Sequence, residues 1–247
     1  MGTVNYFILT FFQNCYVKNI VTFFVTIQKN YMLITTIDKV LQSRDNISDD
    51  HPTESYVGEF HVNVLMSSII ESVCVYQIGN VLQHSMGYID LIYFIPVSFI
   101  FEIMFDLFHY ITHRIMHHNF FYKYSHKKHH KFPHPSSITT YYQHSFDIII
   151  TNVIPTFLTL YIMSQYICIS YYMFTLINMY KTYIEIAGHC GKHLVNTASF
   201  PQFIWLPRIF NIELHTKDHD LHHSINNCNY AKRFSLWDKL FGTFKYM

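Results

Sequence analysis

Charge is what this chain most lacks. Only 13% of its 247 residues are Asp, Glu, Lys or Arg, about half the roughly 25% found in soluble domains. The formal net charge is +1, so whole-chain balance gives no electrostatic case for nucleic-acid binding. The five cysteines, Cys15, Cys74, Cys168, Cys190 and Cys228, are scattered and nowhere form CxxC. That spacing argues against a disulfide framework or a zinc ribbon. No GxGxxG occurs, so a flavin or nicotinamide site has no visible motif. A cleavable signal peptide is not expected, because no charged start and no small-residue cleavage site are visible. No ER-retention tail ends the sequence.

What fills the space is apolar and aromatic. Half the residues are hydrophobic, with 23 Phe and 20 Tyr. A membrane-spanning helix needs roughly 20 mostly apolar residues. Tyr88 to Phe108 fits best, Gly58 to Leu82 is a weaker span, and Phe146 to Ala187 is long enough for two spans with a turn near Ser164 and Gln165. Tyr6 to Ile27 is apolar but interrupted; it spans, lies at the interface or serves as an uncleaved targeting segment. Asp38 to Tyr56 reads as a polar loop. The expected division is a membrane-associated region over 1–85 and a catalytic domain over 86–247.

Most of the 18 histidines fall in two windows. The first runs from Phe105 to His130, the second from Gly188 to His223. Histidine is the commonest metal ligand through its neutral imidazole. On a helix, residues three and four apart share a face, so His109 and His113 are expected to point together, as are His189 and His193. HxxHH occurs twice, as His126, His129 and His130 and as His219, His222 and His223. These ten imidazoles suffice for two metals with positions left open. An all-imidazole set suits Fe, Zn, Cu or Ni. Asp106, three residues before His109, and Asp220, inside the last cluster, are candidates to fix ligand tautomers. His117 continues the face of His109 and His113 and is expected to support the ligands from behind. His118 and His134 are expected in solvent, and His144 at a pocket mouth.

A shared site requires both windows on one side of the bilayer, because a single crossing would separate them by roughly 30 Å. Two spans between them satisfy this. Lys and Arg concentrate on the histidine side, from Arg114, Lys123, Lys127, Lys128 and Lys131 to Lys232 and Arg233. The opposite loops, near His84 to Tyr88 and near Ser164, carry none. The positive-inside rule then places the histidines in the cytosol. The expected fold is all-α: an integral membrane bundle of about four transmembrane helices with a cytosolic, histidine-rich di-metal cap.

Several of these stretches resemble a known family. DLFHYITHRIMHH, YKYSHKKHHK and HDLHH resemble the three histidine boxes of the fatty acid hydroxylase/sterol desaturase superfamily of membrane di-iron oxygenases. The downstream NCNYAKRFSLWDKLFGT resembles the family tail, with Asn229, Trp237, Asp238 and Gly242 at family positions. The resemblance covers roughly Asp106 to Thr243 and is closest to the cholesterol 25-hydroxylase and C-4 methylsterol oxidase branch. HCGKHLVN departs from the sterol pattern after His189, and His193 there matches the HxxxH of the fatty-acid hydroxylases. The resemblance implies two iron ions, with zinc an alternative in isolated protein, and O2-dependent hydroxylation or desaturation of a sterol or related lipid. It also implies an endoplasmic reticulum membrane. The chain has no HPGG of a fused cytochrome b5 domain, so the implied electron donors are separate: cytochrome b5 and its NAD(P)H-dependent reductase. The alternatives are a fatty-acid or sphingolipid hydroxylase and, in a different class, a membrane metal-binding or transport protein.

Overall fold

A computed structural model of the chain describes residues 15–50, 57–82, 88–194 and 205–246. The described residues contain helices and no strands; one isolated β-bridge pairs Asn46 with Lys192. Three long helices come first: α1 (Cys15–Val40), α2 (Val57–Val81) and α3 (Tyr88–Met116). A short α4 (Asn119–Tyr124) and a 3-10 helix (His126–Lys131) follow, then a second 3-10 helix (Ser137–Tyr141). A continuous helix, α5 (Ser145–Ser164), contains a π-helical turn at Ile149–Val153. It is followed by α6 (Tyr171–Gly188), α7 (Trp205–Ile209), α8 (Thr216–Ile225) and α9 (Leu236–Leu240).

Among the described residues, four helices are long and apolar enough to cross a membrane: Val17–Val40, Gly58–Val81, Asp90–Met116 and Ser145–Ser164. Their exposed surfaces are apolar, with Phe24, Ile69, Ile92 and Phe157 facing outward. A soluble protein rarely leaves such contiguous apolar faces open, whereas lipid is their natural solvent. The N-terminal segment is thus helical from Cys15 and long enough to span; its first residues, like the loop from His84, lie outside the described part.

The α5–α6 hairpin positions the site. Leu160 and Met163 near the end of α5 pack on Ile169, Met173 and Phe174 at the start of α6, together with Phe101 and Phe105 of α3. The chain therefore reverses, and α6 carries His189 back to the end of the bundle from which α5 started. α1 joins the opposite flank, where Leu33, Ile34 and Ile37 pack on Ile186 and Ala187.

The bundle interior is less free of charge than the sequence suggests. Lys29 bonds Glu71, which also accepts from Asn30 and Asn178. Arg233 is fully buried between Glu102 and Glu185, and Lys232 also pairs with Glu185. A buried charge is tolerated only when paired and hydrogen-bonded, and these networks supply the partners.

Candidate metal centre

The two HxxHH motifs do not each point at one place. They are divided between two groups of imidazoles. His113, His117, His126, His130 and His222 form one group; His129, His189, His219 and His223 form the other. Within each group one nitrogen from every ring lies within 4.8 Å of the others. The first HxxHH gives His126 and His130 to the first group and His129 to the second. The last gives His222 to the first group and His219 and His223 to the second. His126, His129 and His130 sit on a 3-10 helix rather than an α-helix, and His130 leaves helical geometry at φ −83°, ψ 15°. That bend turns His130 away from His129, whose ring lies 5.4 Å from it at 86°. The groups adjoin: the rings of His130 and His223 are 4.7 Å apart.

Hydrogen bonds fix which nitrogen of each ring is bare. A carbonyl oxygen can only accept, so the ring nitrogen beside it carries the proton. His113 Nδ1 donates to Tyr230 O at 2.7 Å and His222 Nδ1 to Cys228 O at 2.6 Å. His189 Nδ1 donates to Glu185 O at 2.8 Å, and His126 Nδ1 faces the Asp147 carboxylate at 2.8 Å. Their Nε2 atoms are then lone pairs turned inward. His113 Nε2 and His126 Nε2 stand 3.0 Å apart with both protons elsewhere. Two buried lone pairs at that distance repel each other unless a cation lies between them. His222 Nε2 and both nitrogens of His223 are buried without a hydrogen-bond partner. Such orphaned nitrogens are rare in folded proteins. The donor set fits a pair of bound metal ions.

Electrostatics agrees. Burial pushes His189 down to about 4 and His222 down to about 3, and holds His117, His129, His130, His219 and His223 below the ordinary imidazole range. All are neutral near pH 7, the form that ligates.

His109 belongs to neither group. Its Nδ1 donates to Thr151 O at 2.7 Å, its ring stacks on Phe105, and it lies 4.9 Å from the His113 ring with Nε2 buried and bare. Local sequence explains the Thr151 acceptor. Pro155 has no N–H, so the carbonyl four residues earlier loses its helical donor, and the π-turn opens the backbone there. His193 is not brought to the site: it is exposed on the loop after α6, and its backbone N–H donates to Asp45 O at 2.9 Å. α6 ends at Gly188, so the i, i+4 geometry expected of His189 and His193 never forms. His117, expected behind the ligands, sits among them, with Nε2 3.1 Å from His126 Nε2.

The expected supporting acids are also relocated. Asp106 contacts no histidine in the described hydrogen bonds. Its carboxylate accepts the backbone N–H groups of Lys232, Arg233 and Phe234 at 2.7, 2.9 and 3.0 Å. Three backbone donors outcompete one imidazole, and Asp106 becomes the anchor of the C-terminal strap. Asp220 bonds His134 Nδ1 at 2.9 Å, so His134 is half-buried rather than solvated. His118 is exposed as expected, and His144 is an exposed cap whose Nδ1 accepts from Phe146 N.

Comparison with known proteins agrees with the arrangement. The sequence profile of the fatty acid hydroxylase family matches residues 97–243. The chain belongs to the fatty acid hydroxylase family. Among curated relatives, "Fatty acid hydroxylase vlmA" of Lecanicillium sp is 35% identical over 116 residues, covering 44% of this chain and 31% of that protein. The chain thus spans under a third of that relative's length. No solved structure matches it.

The family tail explains itself in this geometry. Asp238 accepts from Tyr230 N and Ala231 N at 2.8 and 2.7 Å, and Trp237 Nε1 donates to Ile103 O at 3.2 Å. Asn229, at φ 52°, donates to Asp218 O and Lys245 O. Together they fold residues 228–243 over the imidazoles, so that Cys228 O and Tyr230 O meet His222 and His113. Gly242, at φ 69°, takes the left-handed turn that closes the strap.

Proposed function

We propose that the chain is an integral-membrane, O2-dependent lipid hydroxylase. The nine imidazoles of the two groups, with His109 beside them, would hold two iron ions. The observation that carries this is the pair of bare Nε2 atoms of His113 and His126 at 3.0 Å, each with its proton committed elsewhere. Imidazoles alone also accept zinc; iron follows from the family's activity. When bound, the metals would supply oxygen activation, so that one atom of O2 enters a C–H bond and the other leaves as water, with two electrons and two protons consumed. The chain's own residues orient and enclose. Asp147 and the carbonyls of Thr151, Glu185, Cys228 and Tyr230 hold the Nδ1 protons. Phe105, stacked on His109, and Tyr230, against His117 and His222, exclude water.

The substrate would come from the bilayer. The tail resemblance favours a sterol hydroxylase or methyl oxidase, while the names of the family and of its one relative described above favour a fatty-acid lipid. Both lie within one reaction class. A metal transporter is less well supported, because transporters place their ligands near the midplane on broken helices. Here the imidazoles gather at one end of the bundle, and the interior charges Lys29 and Glu71, and Arg233 and Glu102, pair with one another. Electrons would come from cytochrome b5 and an NAD(P)H-dependent reductase, in an endoplasmic reticulum membrane with the histidines cytosolic.

The test is an oxygen-dependent sterol and lipid profile of a eukaryotic host expressing the chain, beside a His222→Ala control. A new oxysterol, or loss of a methylsterol, supports the sterol branch, and a new hydroxy-acyl lipid supports the acyl branch. An unchanged profile in cells that supply iron and cytochrome b5 counts against the hydroxylase. For orientation, a glycosylation acceptor at Ser164 should be modified and one near Lys128 should not; the reverse pattern would place the histidines outside the cytosol.

A further inference from the structure

A groove of ≈ 660 Å³ runs beside the last turn of α3. Ile111, Arg114, Ile115 and His118 line one wall, and Phe121 of α4 and Phe241 after α9 line the other. Ile111 and Ile115 each stand two residues beyond a histidine of the first box, His109 and His113. Two residues turn an α-helix by about 200°, so groove and imidazoles lie on opposite sides of α3.

The depth of the groove follows from the helix that carries it. Asp90–Met116 has 27 residues, about 40 Å at 1.5 Å per residue. A bilayer with its headgroup layers is roughly 40–45 Å thick, so Arg114, in the last turn, lies at headgroup depth. Below it, Ile100, Leu107 and Ile111 share its face of the helix at heptad-like spacing. Ile100 and Ile111 are exposed and Leu107 is half-buried. From Arg114 to Ile100 this apolar stripe runs about 21 Å, more than half of the roughly 30 Å hydrocarbon core. Phe120 and Leu240, next in sequence to the groove-lining Phe121 and Phe241, are exposed as well.

An arginine at the end of a membrane helix ordinarily extends its head into water. Arg114 is instead drawn back one turn: its Nη1 donates to the Tyr110 hydroxyl at 2.9 Å, and its guanidinium carbon lies 5.9 Å from that ring's centre. Tyr110 is itself buried, and its hydroxyl donates to Thr243 Oγ1 at 3.1 Å, which donates to Asp238. The guanidinium is thus held at the groove wall with one of its five N–H donors used. Among the described residues Arg114 makes no ion pair, whereas Arg208 and Arg233 contact Glu213 and Glu102. No Asp or Glu lines the groove among the described residues. Asp238 is buried behind Tyr110, with its oxygens taken by Tyr230 N, Ala231 N and Thr243 Oγ1.

A fixed guanidinium at headgroup depth, above an apolar stripe, is complementary to a phospholipid. The planar fork matches two oxygens of a phosphate, and the His118 ring adds a further donor. Basic pockets at membrane helices on the positively charged side recognise lipid head groups in this way. With no carboxylate in the wall, the ammonium of a zwitterionic head group would find no partner. A free phosphate would meet Arg114 but leave Ile111, Ile115 and Phe241 uncovered.

We propose that this groove binds one anionic phospholipid, its phosphate on Arg114 and His118 and an acyl chain along Ile111 and Leu107. The lipid sits behind α3 as a structural partner and is not presented to the imidazoles, so the inference stands apart from the hydroxylase reading. The full chain in detergent micelles, with its metal content measured, is titrated with phosphatidylglycerol and read by native mass spectrometry. One saturable phosphatidylglycerol is expected, with phosphatidylcholine severalfold weaker and glycerol 3-phosphate unable to displace it. Arg114→Gln should weaken binding roughly tenfold, since a charge-assisted bidentate contact is lost. Arg114→Lys, which keeps the charge but not the fork, and His118→Ala should each weaken it severalfold, with metal content unchanged in all three. The last two carry the test if Arg114→Gln does not fold. Equal binding of phosphatidylcholine, or variants that bind like the parent, would overturn the site. Displacement by glycerol 3-phosphate would make it a site for soluble phosphate. Arg114-dependent binding of polyglutamate without saturable phosphatidylglycerol would assign the groove to an acidic protein and overturn the lipid.

Discussion

The two imidazole groups are built from the same motifs but held differently. In the five-histidine group, three rings have Nδ1 committed to a fixed acceptor: His113 to Tyr230 O, His126 to Asp147 and His222 to Cys228 O. In the four-histidine group only His189 is held this way, by Glu185 O. His129 and His219 have unpartnered Nδ1 atoms, and His223 has no partner at either nitrogen. Partners behind the ligands fix ring orientation and tautomer and raise ligand basicity. With metal bound as proposed, the first group, where His130 Nδ1 is the unpartnered exception, would be organised beforehand, and the second would rely on the metal to order it. One centre should therefore bind tightly and the other exchange.

The largest effect expected is from His222→Ala, which removes a bare, buried nitrogen from the organised group. Turnover should fall below detection and metal content to about half or less, while membrane insertion is retained. Metal analysis beside an oxygenation assay reads both, and an active variant would remove His222 from the ligand set. Next is Asp147→Asn. It keeps the shape but replaces the charged acceptor behind His126, and metal affinity should drop roughly 10- to 100-fold. The loss should fall on the five-histidine group; equal loss from both centres would dissolve the comparison. Smaller still is a kinetic effect on the unmodified protein. Chelation should release metal in two phases, with His129→Ala accelerating only the faster one. A single phase would mean that the groups behave as one site.

Much of this was legible in the sequence where chemistry is local. The HxxHH repeats, the HxxxH of α3 and the apolar run of Tyr88 to Phe108 announce imidazole ligands at the end of a membrane helix, and the structure gathers them there. The division of each HxxHH between two groups was not legible, because it depends on a 3-10 helix and the bend at His130. Nor were the supports, which are long-range. Asp147 reaches His126 across 21 residues, and Thr151 reaches His109 across 42. Pro155 was the one available signal, since a proline inside a helical pattern frees the carbonyl four residues back. Asp106 misled for the same reason. Helical spacing showed that it could reach His109, but not that three backbone donors of the strap would claim it first.

The smallest effect expected separates two histidines that spacing alone makes equal. His189 and His193 share an HxxxH pattern, yet His189 is fully buried with Nε2 3.0 Å from His219 Nε2, and His193 is exposed beyond the end of α6. His193→Ala should leave metal content and turnover within about twofold of the parent, since surface substitutions away from such features usually change little. His189→Ala should empty the four-histidine group. The sequence pattern predicts equal losses and the geometry predicts one loss. If His193→Ala also lost metal, the loop after Gly188 would have to fold inward on loading, and the looser group would be a centre that metal completes by recruiting a further ligand.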